Sequence, residues 1–229
     1  MSFRLQQYFL LLCTVFLLQG NAAAQDSVQQ NEIPVLRFSA TQLIAPLALT
    51  GAGAAVAPSF KYNVRDWRND HFASFHTHAD DALALSPIAL VYILDWAGVR
   101  AKTDFWNRSA ILVKAEAMCL VSVYGLKYTT LEWRPDGSDR HSFPSSHTAQ
   151  AFLAATFISE EYKHRFPWMP YAAYSLASSV GLMRVANNRH YLNDVLIGAG
   201  IGILSQKLAY WTHGYRWGKK RKTVYRADF

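Results

Sequence analysis

The sequence predicts an all-α fold, a bundle of six helices embedded in a membrane. Hydrophobic residues make up 51% of the 229 residues, which is enough for a sizeable buried core. Apolar stretches of helical length recur along the chain, and no stretch sustains the alternation of apolar and polar residues that is typical of a half-buried strand. These observations favour a single helical domain.

The first 24 residues have the composition of a secretory signal peptide. Arg4 is followed by an apolar run from Tyr8 to Leu18 and then by small residues at 22–24. We therefore expect residues 1–24 to be a cleaved signal and residues 25–37 to be a flexible N-terminal segment, with an uncleaved anchor helix as the alternative. Once the signal is removed, one cysteine is left, so no disulfide can form within the chain.

Six helical segments are expected within a domain that covers residues 38–211. The first of them, 38–60, carries no charge and is long enough to span a bilayer, although a proline and two glycines weaken it. The other five are expected at 82–97, 107–127, 146–162, 169–185 and 190–211. Three glycines of the last segment permit close contact between helices: Gly198, Gly200 and Gly202.

The polar stretch 61–81 is expected to form an exposed amphipathic loop or helix near the lipid headgroups. It contains three histidines ahead of two aspartates: His71, His76, His78, Asp80 and Asp81. Such side chains can bind a metal, but their spacing matches no fixed zinc pattern. We therefore predict that the protein uses no metal and no cofactor, and a metal site in this stretch is the alternative.

The net charge of +7 is concentrated at the C-terminus, where residues 207–229 contain seven lysines and arginines against one aspartate. The rest of the mature chain is about neutral, and a charged tail is not a nucleic-acid-binding face, so we expect no nucleic-acid partner. Trp211, Tyr215 and Trp217 lie among the basic residues. The tail, residues 212–229, is expected to be either an anchor at the membrane interface or a solvated terminus.

Three separated groups of polar residues lie at the ends of the apolar segments. They are Lys127 with Arg134-Pro135, then Pro144-Ser145-Ser146-His147, and finally Met183-Arg184 with His190 and Asp194. Three cations can hold the oxygens of a phosphoryl group, and arginine can engage two of them at once. Because phosphoryl transfer is catalysed largely by positioning and by stabilising charge on those oxygens, the pattern predicts a phosphoryl-transfer site.

The order of these groups suggests a role for each. His190 and Asp194 are four residues apart, so on one helix they would share a face, and the carboxylate could fix the tautomer of a nucleophilic imidazole. Ser145 or Ser146 is placed to cap the next helix, whose free N–H groups make an anion site. His147, in the first turn, is then placed to protonate the leaving oxygen.

The three groups resemble the signature of the type-2 phosphatidic-acid phosphatase superfamily, which includes membrane lipid phosphatases, soluble bacterial acid phosphatases and vanadium haloperoxidases. The similarity covers about residues 80–211. It implies a helical bundle of that kind, a phosphohistidine at His190 oriented by Asp194, and His147 as the acid. It also implies a set of phosphate-binding residues: Lys127, Arg134, Ser145, Ser146 and Arg184.

Two positions depart from the family pattern. Ser146 stands where glycine is usual, which affects the close backbone approach to phosphate, although serine still offers its N–H. Met183 stands where serine is usual, so one hydroxyl donor is lost, at a cost of about 1 kcal/mol.

The resemblance implies a metal-independent phosphatase that acts on a phosphorylated lipid, with no obligate protein partner. Lipid A is the favoured substrate, at its 4′-phosphate, and undecaprenyl diphosphate and phosphatidic acid are the alternatives. The interrupted apolar segments leave a soluble periplasmic acid phosphatase open. A vanadate-dependent oxidoreductase and a membrane scaffold without catalysis are the remaining hypotheses.

The predicted topology contains a conflict. Lys114 and Glu116 lie within 107–127, and each costs about 3 kcal/mol at the bilayer centre, so this segment inserts only within a bundle. A cleaved signal followed by six full spans places the site in the cytoplasm and the basic tail in the periplasm, whereas the positive-inside rule favours the reverse. We expect that the first apolar segment does not span fully, which leaves the site at the periplasmic face of a bacterial inner membrane.

Overall fold

The computed structural model describes residues 38–214, which form seven α-helices. A short 3-10 helix, Ala40–Leu43, leads into the first of them. The helices are α1 (Ile44–Ala55), α2 (Pro58–Phe72), α3 (Ala79–Trp96), α4 (Phe105–Thr130), α5 (Ser146–Tyr162), α6 (Met169–Ala186) and α7 (Leu192–Trp211). The described range contains no strand, so the all-α prediction is confirmed. The predicted signal, the segment 25–37 and the tail beyond Gly214 lie outside the described residues.

The described chain has one helix more than the six expected. The apolar segment 38–60 does not continue as one helix, because α1 ends at Ala55 and α2 begins at Pro58 with its axis bent by 87°. Proline favours the first turn of a helix, where its missing N–H would have no helical partner. The polar residues that follow Pro58 are therefore mostly helical, which was one of the two expected alternatives for that stretch.

Helix α5 is the centre of the bundle and packs against α3, α4, α6 and α7. Close approach of α7 to α5 depends on two glycines. A Cβ atom on Gly198 would lie 2.6 Å from the carbonyl oxygen of Ser145, and one on Gly202 would overlap the carbonyl of Ala149. The prediction that the glycines of the last helix permit close helix contact is therefore confirmed, and the contact lies next to the start of α5.

Helix α4 is the one helix of the described range that is by itself long and apolar enough to cross a membrane. Several large hydrophobic side chains on it are exposed: Trp106, Val113, Leu120, Val121, Tyr124 and Tyr128. The two charged residues within it have partners on other elements, since Lys114 Nζ donates to Thr212 Oγ1 at 2.9 Å and Glu116 Oε1 accepts from Gln150 Nε2 at 2.5 Å. This is the arrangement expected of a segment that inserts only within a bundle.

Candidate active site

The predicted site residues lie where four helices begin or end. Hydrogen bonds join these termini: the Ser145 N–H, before α5, donates to the Asp194 carbonyl in α7 at 3.0 Å. Arg134, in the loop after α4, donates from Nη1 to the carbonyl of Arg189, in the loop after α6, at 3.3 Å. The structure thus brings the three sequence groups together at one end of the bundle.

Asp194 lies in the first turn of α7 and is fully buried. Its Oδ2 accepts hydrogen bonds from Ser142 Oγ at 2.5 Å and from the Tyr191 N–H at 3.0 Å. The Nδ1 atom of His190 lies 3.5 Å from this oxygen, beyond the usual hydrogen-bond length. His190 precedes α7, so the expectation that both residues share one helix face is wrong. Asp194 instead reaches back from the helix to the loop.

Arg134 indicates which nitrogen of His190 carries the proton. Its Nη1 lies 3.4 Å from Nε2 of the imidazole. Because a guanidinium only donates hydrogen bonds, Nε2 accepts this contact through its lone pair. The ring proton is then on Nδ1, the nitrogen nearest Asp194. This tautomer leaves the lone pair of Nε2 on the side of the ring that faces the Arg134 guanidinium.

The surroundings of His190 keep its imidazole neutral. The residue is 1% exposed, and this burial lowers its pKa well below the usual value. The charges of Arg184, Arg134 and Lys127 lower it further, because each repels a protonated imidazole. A neutral ring retains the lone pair that a nucleophile needs.

Two of these cations are oriented by the loop between α4 and α5. Lys127, in the last turn of α4, is buried, and its Nζ donates to the carbonyl of His141 at 2.6 Å. Arg134 Nε lies 2.9 Å from Asp139 Oδ2, and its backbone N–H donates to the Asp139 carbonyl at 3.0 Å. The loop therefore folds back on itself and holds both side chains at the site.

The third cation is held from the start of α3. Arg184 Nη1 donates to Asp80 Oδ2 at 2.5 Å, and both side chains are buried. Asn187 donates from Nδ2 to Asp80 Oδ1 at 3.4 Å and to the carbonyl of Thr77 at 2.9 Å. Removing one member of a buried ion pair leaves an uncompensated charge, so Asp80 is an important determinant of the position of the Arg184 guanidinium.

His147, the second residue of α5, also pairs with α3. Its Nε2 lies 2.8 Å from Asp81 Oδ1, and about a third of each side chain is exposed. Partial burial and the charge of Arg184 lower the pKa of His147, whereas the carboxylates of Asp81 and Asp80 oppose this shift. The imidazole therefore lies between a cation and an anion, and its protonation depends on both.

Ser145 is the N-cap of α5, and its Oγ accepts from the Thr148 N–H at 3.4 Å and from Thr148 Oγ1 at 2.9 Å. The capping prediction is confirmed for Ser145, while Ser146 is the first residue of the helix. Met183, where the family usually has serine, packs against the apolar core. That position therefore supplies no hydroxyl to the site.

The three histidines of the stretch 61–81 do not gather into one group: His71 lies in the last turn of α2, and His76 and His78 lie between α2 and α3. Their Nδ1 atoms contact three acceptors: the Trp67 carbonyl for His71 at 2.8 Å, the Ser74 carbonyl for His76 at 3.1 Å and Asp81 Oδ2 for His78 at 3.8 Å. Within residues 38–214, no three His, Cys, Asp or Glu side chains form a group that could hold a metal ion. The carboxylates at the start of α3, Asp80 and Asp81, contact the site instead.

Helix α2 covers the start of α7. Lys61 Nζ lies 4.2 Å from the centroid of the Tyr191 ring and pairs with the carboxylate of Glu132. Arg68 is buried and donates from Nε to the carbonyl of Ala186 at 2.7 Å, which fixes the end of α6 two residues beyond Arg184. The helix therefore supports the site from outside the three sequence groups.

Four of the residues that hold the site together were not predicted to do so: Arg68, Asp80, Asp81 and Ser142. The two aspartates were considered only as possible metal ligands. Only the two aspartates gave a usable signal, because adjacent acidic residues just before the predicted helix 82–97 favour a helix N-terminus there, and the observed helix has both in its first turn. That signal places the helix start, but it does not identify Arg184 and His147 as partners.

Comparison with known proteins gives one family match and one curated relative. The model of the PAP2 superfamily matches residues 41–218. A lipid A 1-phosphatase from Porphyromonas gingivalis is 37% identical over 153 residues, which are 65% of this chain and 34% of the relative. The chain thus spans about a third of the length of that protein.

Two solved structures align with most of the chain at low sequence identity. The crystal structure of Aquifex aeolicus LpxE aligns with a TM-score of 0.44 and 23% identity, over 76% of this chain and 98% of that one. The crystal structure of a transmembrane PAP2-type phosphatidylglycerolphosphate phosphatase from Bacillus subtilis aligns with a TM-score of 0.43 and 20% identity, over 72% and 94%.

Proposed function

The chain belongs to the PAP2 superfamily, and we propose that it is a metal-independent lipid phosphatase that works through a phosphohistidine at His190. The arrangement around this imidazole carries the proposal. Arg134 Nη1 lies 3.4 Å from Nε2, and Asp194 Oδ2 lies 3.5 Å from Nδ1. A neutral nucleophile in a cluster of cations is suited to attack a negatively charged phosphate ester, because the cations reduce the repulsion that opposes the attack.

The proposed reaction has two steps. In the first, Nε2 of His190 forms a bond to phosphorus while the bond from phosphorus to the ester oxygen breaks. His147 gives its proton to the leaving oxygen. Lys127, Arg134 and Arg184 balance the charge on the phosphoryl oxygens, and Asp194 stabilises the positive charge that develops on the imidazole.

In the second step, water attacks the phosphohistidine. His147, now neutral, accepts a proton from that water, the bond between nitrogen and phosphorus breaks, and inorganic phosphate leaves. His190 is neutral again and His147 is protonated, so the cycle is complete. The side chains of this chain supply both the nucleophile and the neutralising charge, which is why the mechanism needs no metal ion.

We propose lipid A as the substrate. The support is the relative from Porphyromonas gingivalis, which is named as a lipid A 1-phosphatase. That name favours the 1-phosphate over the 4′-phosphate that we expected from the sequence. Undecaprenyl diphosphate and phosphatidic acid remain the competing substrates. Lipid A is preferred because of the similarity to this relative, which covers 34% of the relative's length.

We place the enzyme in a bacterial inner membrane with its site at the periplasmic face. The exposed hydrophobic surface of α4 supports contact with lipid. Helix α2, bent by 87° from α1, has exposed aromatic side chains at Phe60, Tyr62, Trp67 and Phe72, which suit the headgroup region.

A cysteine in place of exposed Ser138, in the loop before the site, should react with a membrane-impermeant maleimide in intact cells. Reaction only after lysis would indicate that the site faces the cytoplasm.

The function is tested on detergent-solubilised protein with lipid A, undecaprenyl diphosphate and phosphatidic acid. We expect phosphate release from lipid A, a product lighter by one phosphate in mass spectra, and at least a roughly thousandfold loss in His190→Ala. Fragmentation of the product identifies which phosphate was removed. Release from small phosphomonoesters alone, together with recovery of the protein by osmotic shock, would instead support a soluble acid phosphatase.

A further inference from the structure

The first turn of α3 contributes two adjacent carboxylates to the site, and each has a different partner. Asp80 pairs with Arg184 of α6, and Asp81 pairs with His147 of α5. Because the two partners lie on different helices, the start of α3 connects α5 to α6. Neither aspartate belongs to the three sequence groups that predicted the site.

We propose that Asp81 is a positioning residue for His147: it orients the imidazole and favours its protonated form for delivery of a proton to the leaving oxygen. The proposal rests on the function proposed above, in which His147 is the acid. Its basis is the 2.8 Å contact between Asp81 Oδ1 and His147 Nε2. A carboxylate at this distance stabilises the imidazolium and fixes the ring plane through its hydrogen bond.

The charges around His147 explain why a partner is needed. Arg184, on α6, repels a protonated imidazole. Asp80 offsets that repulsion only partly, because its own carboxylate is bound by Arg184 and Asn187. His190, on the loop before α7, is neutral and offers no compensating negative charge. Asp81 is therefore the carboxylate that pairs directly with His147.

The remaining neighbour of Asp81 does not compete strongly for it. His78 Nδ1 lies 3.8 Å from Asp81 Oδ2, and the His78 side chain is 88% exposed. An exposed pair at this distance contributes little, since water screens it. Asp81 therefore faces one close partner, His147, through Oδ1.

The proton transfer follows from this geometry. With Nε2 of His147 bound to Asp81, Nδ1 is the nitrogen that gives its proton to the ester oxygen as the bond between that oxygen and phosphorus breaks. The imidazole is then neutral, with its remaining proton on Nε2 facing Asp81. In the second step Nδ1 takes a proton from the attacking water. In this scheme Asp81 holds the ring without itself gaining or losing a proton.

The first test compares Asp81→Asn with the wild type on two substrates that differ in leaving group. An alkyl phosphate needs its leaving oxygen protonated, whereas p-nitrophenyl phosphate has a leaving group that departs without help. We expect the variant to lose about 30-fold or more in kcat/KM, which reports the first step, on the alkyl ester and less than about threefold on the nitrophenyl ester. Equal losses on both substrates would overturn the proposal, because a general structural disturbance does not distinguish leaving groups.

The second test is a double-mutant cycle with His147→Ala. If Asp81 acts through His147, Asp81→Asn has no further effect on kcat in the His147→Ala background. Losses that multiply would show that Asp81 acts independently and would contradict the proposal. Asp70→Asn is the matched control, since this aspartate is exposed on α2 away from the site contacts, and it should leave both substrates unaffected.

The pH profile gives a third readout. Removing the negative charge of Asp81 lowers the pKa of His147, so its proton is lost at lower pH. The alkaline limb of kcat/KM should therefore move to lower pH in Asp81→Asn and return toward the wild type in Asp81→Glu. An unmoved limb in a folded variant would overturn the proposal. A wild type that releases no phosphate from any substrate would instead refute the proposed function.

Discussion

Ser142 and Asp194 are 52 positions apart in the chain, yet Ser142 Oγ donates to Asp194 Oδ2 at 2.5 Å in a fully buried contact. This hydrogen bond joins the loop before α5 to the first turn of α7. It also fixes the carboxylate that lies against Nδ1 of His190. The orientation of His190, the proposed nucleophile, therefore depends on a residue outside the three sequence groups.

Replacing Ser142 with alanine tests this dependence. A hydrogen bond to a charged group contributes about 1.5–3 kcal/mol, so we expect Ser142→Ala to lower kcat by roughly tenfold or more while KM changes little. Steady-state phosphate release measures the change. Ser122→Ala is the matched control, because its hydroxyl bonds only the Met118 carbonyl on its own helix. Unchanged kcat in Ser142→Ala would show that Asp194 is held by other contacts.

The close contact between α7 and α5 predicts a strong effect of one added methyl group. A Cβ at Gly198 would lie 2.6 Å from the Ser145 carbonyl, next to the cap of α5, whereas one at Gly125 of α4 meets nothing within 4 Å. We expect Gly198→Ala to lower both the melting temperature and kcat. Gly125→Ala should be neutral or stabilising by up to about 1 kcal/mol, since alanine favours the helix. Equal melting temperatures for the two variants would show that the two helices separate easily.

The buried pair of Asp80 and Arg184 predicts a stability effect that a second substitution reverses. Asp80→Asn leaves the guanidinium without its ionised partner, at a cost of about 3–5 kcal/mol for a buried pair. We expect a lower melting temperature and a higher KM. The double variant Asp80→Asn with Arg184→Gln should recover much of the stability but none of the activity, because a phosphate-binding cation is still missing. A double variant no more stable than Asp80→Asn alone would contradict this account.

The lowered pKa of His190 predicts the acid limb of the pH profile. A nucleophile with a depressed pKa stays neutral as the pH falls below the usual histidine range, so kcat/KM should be lost only as the pH falls through that lower value. Arg184→Gln removes one cation that repels the protonated ring, and the limb should then move to higher pH. Both proteins are measured on the same substrate, so ionisation of the substrate contributes equally to the two pH profiles. A limb that stays in place would mean that another group controls it.

Much of the site could be predicted because its residues lie at the ends of apolar helices. The cap at Ser145 follows from local preference, and Lys127, Arg134 and Arg184 follow from the chemistry of phosphate. The pairing of His190 with Asp194 was predicted on the assumption of one continuous helix. The helix instead begins at Leu192: the Asp194 carboxylate accepts the Tyr191 N–H and caps the helix there, so His190 lies outside it.

The rest of the site depends on contacts between distant segments, which leave little trace in the sequence. Asp80 and Arg184 are 104 positions apart, and neither aspartate in the first turn of α3 carries a local sign of its partner. The first apolar segment was expected not to span fully, but the position of its break was not predicted: one segment was expected over 38–60, whereas α1 ends at Ala55 and α2 begins at Pro58.

The central claim is that phosphate is transferred to Nε2 of His190. Rapid quenching of the protein with a ³²P-labelled substrate at high pH, where phosphohistidine is stable, followed by peptide mapping, tests it most directly. We predict label on the peptide that contains His190, loss of that label on brief treatment with acid, and no label in His190→Ala. Label on another residue, or a His190→Ala protein that still turns over substrate at the wild-type rate, would contradict the account.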